Sequence, residues 1–309
     1  MAGGAASGGS ANTDTYKEAR TWLLLPAWVT LSILVLAPVG MMLVYSFLTK
    51  EFRGGVVWEF SFAAYDQFFC DRGLFGDEPC AIEWTYVTIF WRSIWQAAAA
   101  TLLSLAIGFP TAYFIATRPE RMRPVWVFLI TIPYWVNLLI RTVSMKFLLR
   151  DQGPLNDALI GMGLIDSPLH IVNTNFAVQL GLFYSYLPFM VLPIYAAVER
   201  YNFSLSEAAA DLYASKFTTL RRILLPAVKP GVIAGCILVF VPSMGSFLAP
   251  DLLGGAKNFM IGSLIEEQFK GNAGNWPFGA AASMILLTMV LILLMLFARQ
   301  QAKAEKAEG

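Results

Sequence analysis

Long runs of apolar residues recur along this chain, separated by short segments rich in polar and charged side chains. An α-helix needs about 20 consecutive apolar residues to cross the hydrocarbon core of a bilayer. Six runs are long enough, and they cover residues 22–48, 86–117, 124–149, 176–198, 231–252 and 278–298. The pattern therefore predicts an all-α membrane protein with six transmembrane helices.

The polar ends of the chain are predicted to be tails. Residues 1–16 are rich in Gly, Ala and Ser, a composition that cannot bury an apolar core, so we expect disorder there. The first apolar run is too long for the core of a signal peptide and is predicted to stay in the membrane. Residues 17–300 then form one transmembrane domain, and residues 301–309 form a short C-terminal tail.

The distribution of charge orients the predicted bundle. With the N-terminus inside, the inner segments carry more than half of the 22 Lys and Arg but well under half of the 21 Asp and Glu. Because basic residues accumulate on the cytoplasmic side of a membrane, both termini and the segment 199–230 are predicted to be cytoplasmic. Segments 49–85, 150–175 and 254–277 then face outwards.

Composition excludes several classes of function. With 57% hydrophobic residues, 14% charged residues and a mean hydropathy of +0.59, the 309-residue chain is not an ordinary soluble domain. A net charge of +1 without a basic stripe argues against nucleic acid as a partner. The sequence lacks the phosphate-binding G-x-x-x-x-G-K-[ST] loop and has one histidine, His170. We therefore expect no ATP site, no metal, no cofactor and no catalytic residue.

The three cysteines are too few for a disulfide scaffold. Cys70 and Cys80 share one predicted outer loop, and sequence leaves open whether they are bridged. Cys236 stands alone in an apolar run and is predicted to be inert packing.

The most amphipathic segment, 204–230, lies on the predicted cytoplasmic side. Ser204 and Glu207 have the spacing of a capping box, which predicts a helix that begins at Ser204. Pro226 and Pro230 are predicted to end the element. One interpretation is a helix on the inner leaflet, anchored by its arginines. Its apolar stripe consists of Leu212, Leu220, Ile223 and Leu224.

Prolines interrupt three of the predicted spans at similar depth. Pro133, Pro188 and Pro242 each lie near the middle of the bilayer, since a helix rises about 1.5 Å per residue. A proline frees a backbone carbonyl, which is tolerated at that depth only against protein or a watery cavity. Kinking for helix packing explains any single proline, but three at one level favour a shared cavity.

Aromatic and hydroxyl side chains beside these prolines are candidate substrate contacts, because aromatic faces and free carbonyls suit a cationic ligand. Asp251 is predicted at the outer mouth, where it attracts cations or simply pairs with Arg141, a residue predicted to snorkel to the outer interface. Tyr186 also lies beside these prolines but is not among the candidate pathway residues. The candidate pathway residues are Tyr134, Trp135, Asn137, Tyr184, Ser243, Ser246 and Asp251.

One pattern within 204–230 resembles the EAA motif of ABC-importer permeases. In that family the motif forms a cytoplasmic coupling loop that docks into the ATP-hydrolysing subunit. The resemblance implies an ATPase-coupling role for Glu207, Ala208, Ala209, Tyr213, Ile223, Leu225 and Pro226.

Tyr213 departs from the family pattern, which usually has glycine at this position. A glycine there permits a tight turn between two short helices. Because a tyrosine at positive φ is costly, the turn is predicted to shift towards Ala214 or to open.

Further runs resemble the polyamine branch of these permeases, the spermidine/putrescine type. The resemblance implies the ABC type I importer permease fold and polyamine transport through a bacterial inner membrane. The implied partners are a second homologous permease, two ATP-binding subunits and a periplasmic substrate-binding protein. The runs are IPYWVNLLIRT at 132–142, DQGPLN at 151–156, LPFMVLPIYAAVER at 187–200, VFVPSMGSFLAPDLLGG at 239–255 and MIGSLIEEQF at 260–269.

Two alternatives remain at the level of sequence. The first is the same class of importer for another organic cation or small solute, such as thiamine or a betaine. The second is a receptor or secondary transporter that needs no ATPase. The predicted spans contain no paired carboxylates, which ion-coupled transporters usually bury in their helices, so a non-catalytic subunit of an ATP-driven importer is favoured.

Overall fold

The computed structural model of the protein describes residues 11–51, 55–71, 81–82, 84–255, 257–270 and 274–308. Within these ranges the chain is mainly helical, with two small antiparallel sheets between the first and second spans. Five of the described helical segments are long and apolar enough to cross a membrane. They are Leu24–Tyr45, Thr85–Ala116, Asn175–Glu199, Lys216–Met244 and Trp276–Arg299.

The first and last helices extend beyond the predicted spans. Helix α1 (Ala11–Tyr45) begins inside the range 1–16 that was predicted to be a tail, and residues 1–10 of that tail lie outside the described residues. The long C-terminal helix runs from Trp276 to Glu308, through most of the second predicted tail. Both ends therefore carry more helix than their composition indicates.

The third apolar run forms two helices that meet at a break. Helix α4 (Arg123–Thr131) ends in a 3₁₀ turn at Ile132–Trp135, and helix α5 (Leu138–Leu149) follows. The axes on the two sides of this break differ by 89°. Pro133 lies in the 3₁₀ turn, and Val136 after it is extended, so the helical hydrogen-bond pattern stops here. The break lies at Pro133, where the sequence predicted an interruption of the span 124–149.

Helix α7 (Asn175–Glu199) contains Pro188 and Pro193 without a break. The fifth span begins earlier than predicted, because α9 (Lys216–Thr219), a π-helical turn at Leu220–Leu224 and α10 (Leu225–Met244) form one continuous helix. Pro226 and Pro230 therefore do not end this element. The π turn lies just before Pro226, which has no backbone N–H and so cannot make the usual helical hydrogen bond.

The core lies between α3 (Thr85–Ala116), α7 and α10. Met190 of α7 is fully buried, and its side chain lies against Gly108 of α3 and Gly235 of α10. A Cβ atom on Gly231 would approach the Cβ atom of Ala197 to 2.4 Å. The G-x-x-x-G spacing therefore brings two backbones into close contact, as such spacing does between membrane helices.

The segment between the first two spans folds onto the bundle through aromatic rings. Strand β1 (Leu48–Lys50) pairs with β2 (Val56–Phe60), and the short helix α2 (Ala63–Asp66) follows. The ring of Phe68 then packs against the rings of Tyr86, Phe90 and Phe278, with centroid separations of 4.7–5.9 Å.

Strand β3 (Cys70–Asp71) pairs with β4 (Ala81–Ile82) in the same segment. Cys70 is disulfide-bonded, whereas Cys80 lies outside the described residues. Cys236 is a free thiol in α10, which fits the packing role predicted for it.

Candidate functional site

The 199–230 segment begins with a helix that is capped differently from the prediction. Helix α8 spans Ser204–Asp211, and Ser204 is its first residue rather than its cap. The side-chain oxygen of Asn202 accepts the Ser204 backbone N–H at 3.1 Å and the Ser204 hydroxyl at 2.8 Å. The capping box between Ser204 and Glu207 was therefore wrong, and Glu207 is left exposed to solvent. A side chain that makes no cap is available to a partner.

Tyr213 adopts the conformation that a glycine normally supplies. Its φ is 60°, and its backbone N–H donates to Ala210 at 2.9 Å while the N–H of Ala214 donates to Ala209 at 3.0 Å. These two bonds form a Schellman motif, which satisfies the last carbonyls of the helix. The expected shift of the turn towards Ala214 was wrong. The left-handed conformation costs ~1–2 kcal/mol, and the two hydrogen bonds offset that cost.

The second helix of the segment starts at a side-chain cap. The Ser215 hydroxyl accepts the backbone N–H of Thr218 at 3.2 Å and so fixes the start of α9. From there the helix continues through the π turn into α10 and the membrane. Helices α8 and α9 thus form a helix hairpin, whose second helix is continuous with the fifth span.

The hairpin packs one face inwards and exposes another. Ala209 and Leu224 are buried and Ile223 is partly buried, whereas Ala208, Leu225 and Pro226 are exposed. Leu212, predicted in the apolar stripe with Leu224, instead points to solvent with 83% of its surface exposed. We name as the coupling face the exposed apolar residues of this hairpin, Leu205, Leu212, Tyr213 and Phe217. Exposed apolar clusters of this kind mark protein–protein contacts.

The break in the third span positions the first group of candidate pathway residues. The Asn137 side chain accepts the backbone N–H of Leu139 at 2.8 Å and so caps α5 directly after the break. Trp135 is 79% exposed, and Tyr134 is partly exposed beside it. Tyr134 and Asn137 are therefore tied to the break, whereas the indole face of Trp135 is open.

Arg141 differs most from its predicted position. It is 5% exposed, and its guanidinium donates to the carbonyl of Val136 at 2.8 Å and to that of Ser185 at 3.5 Å. The guanidinium carbon also lies 4.8 Å from the centre of the Tyr134 ring. Arg141 therefore neither snorkels nor pairs with Asp251, and no other carboxylate in the described part of the chain forms a salt bridge with it.

The remaining mid-depth residues lie on α7 and at the end of α10. The Tyr186 hydroxyl donates to the carbonyl of Pro242 at 3.3 Å. Ser243 is fully buried, with no hydrogen-bond partner for its hydroxyl, whereas Tyr184 is exposed on α7. Tyr186 thus joins α7 to α10, and Ser243 does not reach an open surface.

Asp251 lines a cavity of about 300 Å³ with three other charged residues. Glu266, Glu267 and Lys270, from helix α11 (Ile261–Phe269) and the residue after it, complete the charged lining. The Lys270 ammonium donates to Glu266 at 2.7 Å, and this hydrogen bond raises the pKa of Lys270. Glu267 and Asp251 are exposed, so the cavity presents net negative charge.

Comparison with known proteins identifies the kind of molecule that carries this arrangement. A family described as "Binding-protein-dependent transport system inner membrane component" matches residues 108–302, which include the hairpin, the break and the acidic cavity. The chain belongs to this family. The predicted membership in the importer-permease class is confirmed.

Relatives within the family share much of this chain's length. A spermidine/putrescine transport system permease protein PotB from Salmonella typhimurium is 47% identical over 211 residues, 68% of this chain and 73% of that protein. The protein of the same name from Haemophilus influenzae is 38% identical over 279 residues, 90% of this chain and 92% of that protein.

A solved structure shares the fold of this inner-membrane component. A bacterial ABC transporter involved in the import of alginate matches with a TM-score of 0.64 at 17% identity, over 94% of this chain and 98% of that chain. This likeness and the family membership confirm the predicted all-α importer-permease fold.

Sequence reasoning missed two features of the site. The first is the buried position of Arg141. A continuous span would place it about 27 Å from Arg123, close to the outer interface, where an arginine can snorkel. The second is the convergence of Asp251 with Glu266, Glu267 and Lys270. The four-residue spacing of Glu266 and Lys270 indicates that ion pair, but not the approach of Asp251 from another element.

The left-handed conformation of Tyr213 gives a first prediction. We expect Tyr213→Gly to raise the melting temperature of the purified protein by about 1–2 °C, since relief of ~1–2 kcal/mol of strain exceeds the ~0.5–1 kcal/mol entropic cost of glycine. Leu212→Gly is the matched control, because Leu212 is also exposed but has a φ of −86°. That control should lower the melting temperature. Equal changes in both variants would contradict the assignment of strain to Tyr213.

Proposed function

We propose that this chain is a permease subunit of an ATP-driven importer of polyamines, in the class of spermidine and putrescine. The 47% identity with a spermidine/putrescine permease protein over 211 residues carries this proposal. The subunit pairs with a second homologous permease, and a periplasmic binding protein delivers the ligand. Two ATP-binding subunits hydrolyse ATP, so this subunit itself is not catalytic.

The proposed orientation places both termini and the hairpin in the cytoplasm. The excess of basic residues in the inner segments supports this orientation. The coupling face then meets the ATP-binding subunit, with Glu207 at its edge. Leu212 and Tyr213 supply exposed apolar area for burial on docking, and Glu207 supplies a charge that is free to pair. Closure of the ATPase pair pushes this hairpin, and alternating access follows.

The proposed pathway combines attraction at the mouth with aromatic contact at the break. A linear polyamine carries ammonium groups separated by apolar methylene segments. Asp251 and Glu267 line the acidic cavity and attract the ammonium groups. Arg141 already occupies one face of Tyr134, so Trp135 offers the open aromatic face for a passing cation.

Other candidates from the sequence contribute less directly to this proposed pathway. Asn137 caps α5, and Ser246 is half-buried just beyond the end of α10, so both shape the pathway wall. Tyr184 is exposed on α7 and remains a candidate contact. Ser243 is fully buried in this conformation and is left out of the pathway.

Reconstitution of the complete complex tests the ligand class. We expect a binding protein loaded with spermidine or putrescine to stimulate ATP hydrolysis and uptake into proteoliposomes. The same system presented with thiamine, a betaine or a monoamine should show neither response above the ligand-free level. Stimulation by one of those solutes and not by polyamines would overturn the proposed ligand, and uptake without any ATP-binding subunit would overturn the importer class.

Charge reversal at the hairpin tests the proposed docking role. Glu207→Arg should reduce ligand-stimulated ATP hydrolysis to below about one tenth of the wild-type rate. A reversed charge at a central residue of the contact costs more than about 1.4 kcal/mol of binding free energy. Glu120→Arg is the control, because Glu120 is an exposed acid outside the hairpin. Membrane insertion should be unchanged in both. Wild-type ATPase stimulation in an inserted Glu207→Arg complex would contradict the docking role.

Neutralisation of the acidic cavity tests the proposed entry. Asp251→Asn combined with Glu267→Gln should raise the ligand concentration for half-maximal uptake about fivefold, which corresponds to ~1 kcal/mol in a partly solvated site. The difference should shrink at high ionic strength, where salt screens the exposed charges. Asp157→Asn, an exposed acid on α6 (Pro154–Gly161), is the matched control. An equal effect of that control would argue against a specific entry site.

A further inference from the structure

A continuous chain of side-chain contacts joins the break in the third span to the end of α10. It starts at Arg141, passes through three aromatic rings and ends at the backbone of Pro242. We name Tyr134, Phe189 and Tyr186 the aromatic relay. The relay connects the break in the third span with the C-terminal end of α10.

The first end of this chain stabilises the break. The carbonyl of Val136 lies at the break, where the helical pattern has stopped, and Arg141 donates to it at 2.8 Å. The same guanidinium reaches Ser185 on α7 and lies over the ring of Tyr134. A buried arginine without a carboxylate is expensive within a membrane. Arg141 therefore holds its position through these particular contacts, and it loses them if the break changes shape.

The centre of the chain consists of aromatic packing. The ring of Tyr134 meets the ring of Phe189 edge-on, with centroids 4.8 Å apart. Phe189 lies 6.4 Å from Tyr186 in a nearly parallel arrangement. Phe189 and Tyr186 flank Pro188 on α7, so both rings move with this helix. Well-packed rings have few alternative arrangements and therefore transmit displacement.

The second end of the chain lies in the helix that leads to the coupling face. Pro242 is in the last turn of α10, where carbonyls have no partner within the helix. The Tyr186 hydroxyl satisfies the Pro242 carbonyl at 3.3 Å. Because the helix is continuous from Lys216 to Met244, a push on the hairpin reaches Pro242 along one axis.

We propose that Arg141 and Tyr186 are positioning residues that couple movement of the hairpin to the shape of the break in the third span. This inference rests on the proposed function, because it concerns how ATP hydrolysis on a partner opens the pathway. Movement of α10 displaces the Pro242 carbonyl and draws Tyr186 with it. The relay then shifts Tyr134 against Arg141. The guanidinium of Arg141 thereby keeps or loses its hydrogen bond to the carbonyl of Val136.

The measurement that tests this proposal is the number of ligand molecules imported per ATP hydrolysed by the reconstituted complex. Tyr186→Phe removes one hydroxyl and keeps the ring, so we expect the ratio to fall about fivefold, as for the loss of one neutral hydrogen bond. Arg141→Lys keeps the charge but lacks the planar fork that reaches two carbonyls. We expect it to lower the same ratio while ligand-stimulated ATP hydrolysis persists.

Tyr65→Phe is the matched control. The Tyr65 hydroxyl also donates one hydrogen bond, to Ser46 at 2.9 Å, but Tyr65 lies on α2 and outside the relay. Its variant should keep the wild-type ratio. Melting temperatures of the three complexes show whether any loss merely reflects lower stability, since a purely structural role lowers uptake and ATP hydrolysis together.

The double variant Arg141→Lys with Tyr186→Phe gives a second measure. If both residues belong to one relay, its ratio should fall no further than that of the more affected single variant. An unchanged ratio in Tyr186→Phe, or an equal fall in Tyr65→Phe, would overturn the proposal. These outcomes are distinct from failure of the proposed function, in which the wild-type complex itself would not import polyamines.

Discussion

Backbone polar groups within a membrane have no water to bond with, and this constraint governs the structure of the permease. Where a helix stops within the membrane, the backbone groups that it leaves need other partners. Asn137 caps α5 after the break, Arg141 binds the carbonyl of Val136, and Tyr186 binds the carbonyl of Pro242. The residues that replace these backbone hydrogen bonds therefore lie beside the proposed pathway.

The continuity of the fifth span follows from the same constraint. Proline usually ends a helix, yet Pro226 and Pro230 lie inside a helix that runs from Lys216 to Met244. A π turn lies directly before Pro226, and the helix continues through it. The close contact of Gly231 with α7 holds this helix against the core. Under the proposed function, both features allow this helix to join the contact with the ATP-binding subunit to the pathway.

Much of this architecture could be predicted from the sequence, and the failures have physical causes. The apolar runs predicted the spans, because bilayer thickness fixes how long a membrane helix must be. Pro133 indicated an interruption, but the 89° angle depends on the Val136 conformation and on the Arg141 contacts, which connect distant parts of the chain. Tyr213 was judged by its intrinsic preference for negative φ, and the Schellman bonds outweighed that preference. Sequence motifs predicted the coupling segment. Its cap at Asn202 and the outward direction of Leu212 could be seen only in the structure.

A buried arginine beside a pathway for cations raises an electrostatic difficulty, because a fixed positive charge repels the proposed ligand. The structure reduces this difficulty by turning the guanidinium towards the carbonyls of Val136 and Ser185 and towards the face of Tyr134. Those negative partial charges offset the field of Arg141 beside the proposed pathway. The negative charge proposed to attract a polyamine lies elsewhere, in the cavity of Asp251 and Glu267. Under the proposed function, a linear ligand with separated charges fits this arrangement better than a compact cation, since its apolar methylene segment can pass Arg141 while its ammonium groups lie on either side.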